Sequence, residues 1–278
     1  MQDLALSVMR RIAERGARTG FAASSAGPLR FAVRGPAGAP PLLLLHGLGD
    51  SLAGWARVVG RLARTREVHL LDLPGHGLST RPPDWKLATL AAAVADYARR
   101  LDGLEVVGHS LGGWLALRLV LSGAVRPAAL TLVNPGGALL APEEWAPFRA
   151  LVSARDKAGV GRYLDLAFHR VPLALRLFPG EVVKAMWSEA AQGVLGAIAE
   201  EDFLHEAELA SLAVPLRLVW GARDRLLPQG TLGFFRRALP RAEVILLEET
   251  GHLPHLESPA ALAEALLRPR RIADSRRR

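Results

Sequence analysis

Four leucines in a row, at positions 42–45, constrain this chain more than any other stretch. A glycine- and proline-rich segment, residues 35–41, precedes them and His46-Gly47 follows, so the run is too short for a helix. A strand of that composition is apolar on both faces. It belongs in the middle of a parallel sheet with helices on either side. Residues 29–33, 67–71, 104–108, 129–133, 215–220 and 243–247 also read as strands. Residues 52–63, 87–101, 111–121, 231–239 and 259–267 have helical spacing of their apolar positions. The alternation predicts an α/β fold with a sheet wrapped on both faces. It breaks after Val133. From Asn134 to about Val214 only helical segments appear, punctuated by Pro142, Pro147, Gly159, Pro172, Pro179 and Gly180. The expected organisation is an amphipathic N-terminal helix within residues 1–18, a core formed by 19–134 and 214–268, a helical cap inserted at 135–213, and a basic tail at 269–278.

The chemistry concentrates in Gly108-His109-Ser110-Leu111-Gly112, a G-x-S-x-G pentapeptide between an apolar strand and an apolar helix. That context makes Ser110 the expected nucleophile, on a tight strand-to-helix turn where glycines replace side chains that would collide. The start of the following helix favours developing negative charge. A serine hydroxyl needs a base beside it. Of eight histidines, His252 follows the last strand, at the carboxyl edge of the sheet where ligands bind in open α/β folds. His255 is the second choice. His46 is expected to brace its loop, His76 to be structural, and His109 to point away from Ser110. The acid that orients the imidazole is expected at Asp224, after the strand ending at Trp220. The rival position after strand 129–133 holds Asn134, which carries no charge. The chain order Ser110, Asp224, His252 is the one expected of a nucleophile elbow on this kind of sheet. Backbone N–H groups of Leu48 and Leu111 are the expected oxyanion hole.

The motifs HGLGDS (46–51), DLPGHGLS (72–79), GHSLGG (108–113), GARDRLLP (221–228) and GHLPHLESP (251–259) together resemble the α/β-hydrolase superfamily. The resemblance implies an eight-stranded, mostly parallel sheet, a cap after the sixth strand, and Ser110, Asp224 and His252 as a catalytic triad without cofactor or metal. Segments 133–140, 178–187 and 214–228 are similar to the monoacylglycerol lipase and carboxylesterase branch. Serine at the elbow sets the chain apart from haloalkane dehalogenases and epoxide hydrolases, which have aspartate there. Leu253 stands where carbon–carbon bond hydrolases usually have tryptophan. The expectation is a serine hydrolase of carboxylic esters, of short to medium acyl chains or monoacylglycerols. Its alternatives are another acyl-transfer enzyme (thioesterase, acyltransferase or perhydrolase), a carbon–carbon bond hydrolase, or a non-catalytic binding module.

The net charge of +8 comes mostly from the termini. Residues 268–278 contain six Arg and one Asp, and the body is close to neutral, so no basic face for nucleic acid is expected. A small-molecule ester is the expected partner. The simplest reading of the tail is a solvated terminus, and weak contact with an anionic membrane surface is the alternative. The 278 residues contain no cysteine, which excludes disulfides, thiolate metal sites and a cysteine nucleophile. Residues 1–18 lack the pattern of a secretory signal, and no run is long enough to span a bilayer. The expectation is a cytoplasmic protein.

Overall fold

The leucine run forms most of a central strand of the sheet. In the computed structural model, which describes residues 2–153, 156–177 and 180–270, α1 (Gln2–Glu14) is followed by β1 (Arg18–Ala22), β2 (Leu29–Arg34) and β3 (Pro41–Leu45). Then come α2 (Ala56–Leu62), β4 (Glu67–Leu71), α3 (Leu87–Ala98), β5 (Glu105–His109), α4 (Leu111–Leu121) and β6 (Ala129–Val133). The helices α5 (Pro142–Ser153), α6 (Lys157–Ala167), α7 (Leu173–Leu177), α8 (Gly180–Met186), α9 (Glu189–Ala197) and α10 (Glu206–Ala210) lead to β7 (Leu216–Gly221). The chain ends with α11 (Gly230–Ala238), β8 (Glu243–Leu247), α12 (Pro254–Glu257) and α13 (Pro259–Leu267). Most of the tail expected to be basic, residues 271–278, lies outside the described residues, as do Phe178 and Pro179.

The eight strands form one sheet in the order β1-β2-β4-β3-β5-β6-β7-β8. β2 runs antiparallel to both β1 and β4, and every other pairing is parallel. Alternate residues of the central strands enter two separate cores. Leu43, Leu45, Val106 and Leu132 pack with α3, α4 and α11. Leu42, Leu44, Val107 and Val133 pack with α2 and α13. This is why the leucine run needs no polar face: each side chain is worth about 1.5–3 kcal/mol of burial on one side or the other.

Two departures from the sequence reading have local causes. Residues 52–63 do not form one helix. Ser51 accepts a hydrogen bond from Ala53 N–H through its side chain and starts a 3-10 turn at Leu52–Trp55, after which α2 begins. β1 was not expected. Only Ala22 of its five residues is buried, and the strand is held by pairing with β2. α1 packs on the body against residues 52–55, α2 and α8. Its Arg10 reaches the fully buried Asp72 at 3.0 Å, and its Glu14 accepts from Arg30 at 2.9 Å. Asp72 also accepts from Leu52 N–H at 2.7 Å and Leu78 N–H at 2.9 Å, tying four chain segments together. Among the described residues, no helix is long and apolar enough to cross a membrane.

Candidate active site

The turn between β5 and α4 is sterically forced. A Cβ on Gly108 would stand 2.3 Å from the Gly112 carbonyl oxygen, and one on Gly112 2.5 Å from the Leu45 carbonyl oxygen. Only with both side chains absent can the chain turn this sharply. Ser110 takes the strain, with φ 51 and ψ −116, a region that costs a non-glycine residue of order 1–3 kcal/mol. Its neighbours hold it there. Ser110 N–H donates to Val133 O at 3.0 Å, and the Ser110 carbonyl accepts from Gly113, Trp114 and Gly136.

The loop after β8 brings His252 over this elbow. His252 Nε2 is 3.0 Å from Ser110 Oγ, and Nδ1 is 2.8 Å from Asp224 Oδ2. An ionised carboxylate only accepts, so Nδ1 carries the hydrogen and Nε2 is left to accept from the serine hydroxyl. Asp224 sits in the turn after β7 with every neighbour a donor. Leu226 N–H and Leu227 N–H donate to Oδ1 at 2.9 and 3.2 Å, and Asn134 Nδ2 donates to Oδ2 at 2.7 Å. Asn134 is itself at φ 42, with its Oδ1 accepting from Gly221 N–H at 3.1 Å. The residue set aside for lacking charge thus supports the acid. His252 is also anchored through its backbone: its N–H donates to Ala167 O, at the end of α6, at 2.7 Å. Its carbonyl accepts from His109 Nε2 at 2.8 Å.

The other histidines divide by environment. His46 donates from Nδ1 to Gly47 O at 2.8 Å and accepts from Leu73 N–H at Nε2, bracing its loop from a fully buried position. His76 donates to Pro74 O, and burial lowers its pKa to about 3. His109 is pushed well below the ordinary imidazole range, by burial first and then by His255 and His252. It is therefore neutral, with Nε2 protonated toward the His252 carbonyl. Its ring lies 5.0 Å from that of His252. His255 is buried against Trp55 and His109 and makes no contact with Ser110 Oγ; its ring nitrogen is 3.3 Å from Asp50.

Ser110 and His252 open onto a cavity of about 660 Å³, within the range of small-molecule sites. Phe148, Val152, Phe168, Leu175, Leu195 and Leu226 make most of its wall apolar, and Asp50, Tyr163 and His255 add a polar part. Leu48 lines the cavity as well, and Leu111 begins α4 directly after Ser110. Among the described residues neither of their backbone N–H groups is used in a hydrogen bond. No group of three or more histidine or acidic side chains among those residues could hold a metal ion. A serine hydroxyl, an imidazole and a carboxylate in line at the floor of a largely apolar cavity can activate an alcohol for attack on a carbonyl.

A sequence model of the alpha/beta hydrolase family matches residues 42–265. The chain is 32% identical over 245 residues to the pimeloyl-[acyl-carrier protein] methyl ester esterase of Chromobacterium violaceum, covering 82% of this chain and 92% of that protein. It is 26% identical over 264 residues to an uncharacterized protein of Mycobacterium tuberculosis, covering 86% and 77%. Among solved structures, a bacterial membrane phospholipase A superposes with TM-score 0.80 at 26% identity, over 95% of this chain and 88% of that one. A carboxylesterase from Bacillus subtilis superposes with TM-score 0.78 at 20% identity, over 96% and 95%, a likeness of fold. With the family's sequence pattern running through most of the sheet and both of the loops that meet at Ser110, the chain belongs to the alpha/beta hydrolase family.

Proposed function

We propose that the chain is a serine hydrolase of carboxylic esters, with short to medium acyl chains or monoacylglycerols as substrates. The single observation that carries this reading is the hydrogen-bonded line Asp224–His252–Ser110 at the floor of a largely apolar cavity. The acyl chain lies along the apolar wall. His252 Nε2 takes the Ser110 proton as Oγ attacks the ester carbonyl carbon. The oxyanion that forms is held by Leu48 N–H and Leu111 N–H, each worth on the order of 3 kcal/mol in the transition state. The carbon–oxygen bond to the alcohol then breaks, and His252 gives its proton to the leaving oxygen. Water, deprotonated by His252, attacks the acyl-enzyme and releases the acid and the free serine. Asp224 keeps the imidazole in the required tautomer and stabilises its protonated form. The identity to an esterase that, by its name, acts on a methyl ester supports ester cleavage over thioester or carbon–carbon cleavage.

The test pairs labelling with turnover. A fluorophosphonate should label Ser110, and Ser110→Ala should lose the label along with ~10⁴-fold or more of its turnover of a medium-chain p-nitrophenyl ester. Near-wild-type turnover in the folded Ser110→Ala protein overturns the reading.

A further inference from the structure

The lining of the cavity includes polar groups that the mechanism above does not use. Asp50 closes a turn with Gly47, its N–H donating to Gly47 O at 3.3 Å. Gly47 backs directly onto the nucleophile, since a Cβ there would stand 3.3 Å from Ser110 Cβ. The Asp50 carboxylate is therefore set a single turn away from the reacting centre. Its Oδ1 accepts from Ser51 N–H at 2.7 Å. Its Oδ2 lies 3.3 Å from His255 Nε2, within ion-pair distance, and His255 Nδ1 has no hydrogen-bond partner although the residue is only 1% exposed. The Asp50 side chain keeps 27% of its surface, and it lines the cavity. Burial alone would raise its pKa, but His255, His46 and the Ser51 N–H together hold it below the ordinary carboxylate value, so it is ionised at neutral pH.

Tyr163, on α6, lines the same cavity. No described residue hydrogen-bonds its hydroxyl. Burial raises the phenol's pKa, and both Asp50 and Asp224 add to the rise, which puts the ring within electrostatic reach of the 47–50 turn and of the acid. A carboxylate with acceptor capacity to spare and a phenol with neither donor nor acceptor engaged thus share a chamber that Arg10, Lys184 and His255 also line and whose remaining wall is mostly apolar. Polar groups that line a cavity with hydrogen-bonding capacity to spare are left to water, and a ligand that displaces that water without replacing its hydrogen bonds loses affinity. A ligand that brings O–H groups to these polar groups replaces those bonds. One that brings only methyl groups does not.

We propose that Asp50 and Tyr163 form a hydroxyl-binding subsite for the leaving alcohol, with His255 positioning Asp50, so that the preferred substrates are esters of a neutral polyol such as glycerol rather than of methanol. The inference rests on the ester-hydrolase reading. An ester has two arms, and the cavity has two kinds of wall: the acyl arm takes the apolar one and the alcohol the polar one. The carboxylate accepts from an alcohol hydroxyl, and the phenol donates or accepts as the second hydroxyl requires. Sites built to pair a substrate hydroxyl discriminate strongly against the analogue that lacks it, because their own polar groups are then stranded.

The experiment compares monooctanoylglycerol with methyl octanoate, both below their aggregation limits, in the wild type, Asp50→Asn and Tyr163→Phe. The readout is the ratio of the two kcat/KM values. The expected ratio is tenfold or more in favour of the glycerol ester in the wild type, and it should fall at least fivefold in each variant. Both substitutions conserve shape, and thermal unfolding checks that each variant folds. A wild-type ratio near one, or a ratio unchanged in both folded variants, with hydrolysis of both esters intact, overturns the subsite and leaves the hydrolase reading standing. No hydrolysis of either ester together with no fluorophosphonate labelling of Ser110 overturns the hydrolase reading itself, and the subsite with it.

Discussion

Asn134 offers a sharp test of how the acid is held. Asn134→Ala removes two hydrogen bonds at once. The first, to Asp224 Oδ2 at 2.7 Å, has a charged acceptor and is worth about 1.5–3 kcal/mol. The second leaves the buried Gly221 N–H without its acceptor, at about 1–3 kcal/mol. Alanine also tolerates the φ of 42 less well than asparagine does. Relaxation recovers part of this, so the expected loss of stability is about 3–4 kcal/mol. Activity should suffer less than if the acid itself were removed. Asp224 keeps Leu226 N–H, Leu227 N–H and His252. What it loses is one of the two donors on the oxygen that faces the imidazole. A loss of 10- to 100-fold in kcat/KM is expected, equivalent to about 1.4–2.7 kcal/mol of transition-state stabilisation. Asn134→Gly separates backbone strain from the amide: it should recover some stability and none of the activity. Asn134→Asp should be worse than either near neutral pH. It sets a second carboxylate against Asp224, and one of the two will hold a proton that opposes the charge His252 needs. The assay is kcat/KM for a p-nitrophenyl ester across pH 5–9, with urea unfolding on the same samples. If folded Asn134→Ala and Asn134→Gly stay within twofold of wild type throughout, the amide does not orient the acid.

Three further outcomes follow from other parts of the molecule. Ser110→Gly should abolish turnover yet raise stability by about 1 kcal/mol, because glycine adopts φ 51 without strain; denaturant titration showing no gain would contradict the strain argument. Arg217, 1% exposed, pairs with Glu243 and donates to the Ala265 and Arg268 carbonyls, so Arg217→Ala should cost about 3–5 kcal/mol without changing kcat/KM of the folded fraction. A loss under 1 kcal/mol by urea unfolding would refute it. For His76 the sign is set by a folded-state pKa of about 3 against 6.5 in the unfolded chain. Between those values the unfolded chain binds the extra proton, so stability is full above pH 6.5 and falls as pH drops, by about 2 kcal/mol at pH 5. His76→Gln should make the wild-type decline between pH 6.5 and 5 shallower, and an identical slope in urea titrations would exclude that origin.

The central sheet was legible because its signal is local. A run such as residues 42–45 has one stable use when both faces are apolar, and β4, α4, β6, β8 and α13 have the limits that their composition predicts. β1 escaped because it lacks that signal: Phe21 is 57% exposed under Arg30, and register with β2 supplies what hydrophobicity does not. The motifs led to Ser110, Asp224 and His252, which the fold brings within hydrogen-bond distance. Asn134 was judged on charge alone. Its amide matters through a partner 90 residues further along the chain, a proximity that no local pattern encodes. The same holds for Asp50 and Tyr163, which lie far apart in the chain and line one cavity.

The backbone bond from His252 to the end of α6 has a mechanical consequence. Arg225 N–H, one residue past Asp224, donates to Leu166 O in the same helical turn, and His169 N–H and Arg170 N–H both donate to Glu257, which also receives Gly251 N–H. The end of α6 is therefore stitched to the loops that carry both Asp224 and His252. Lifting it as a rigid flap would unseat the imidazole in the same motion, an interlock between opening and firing.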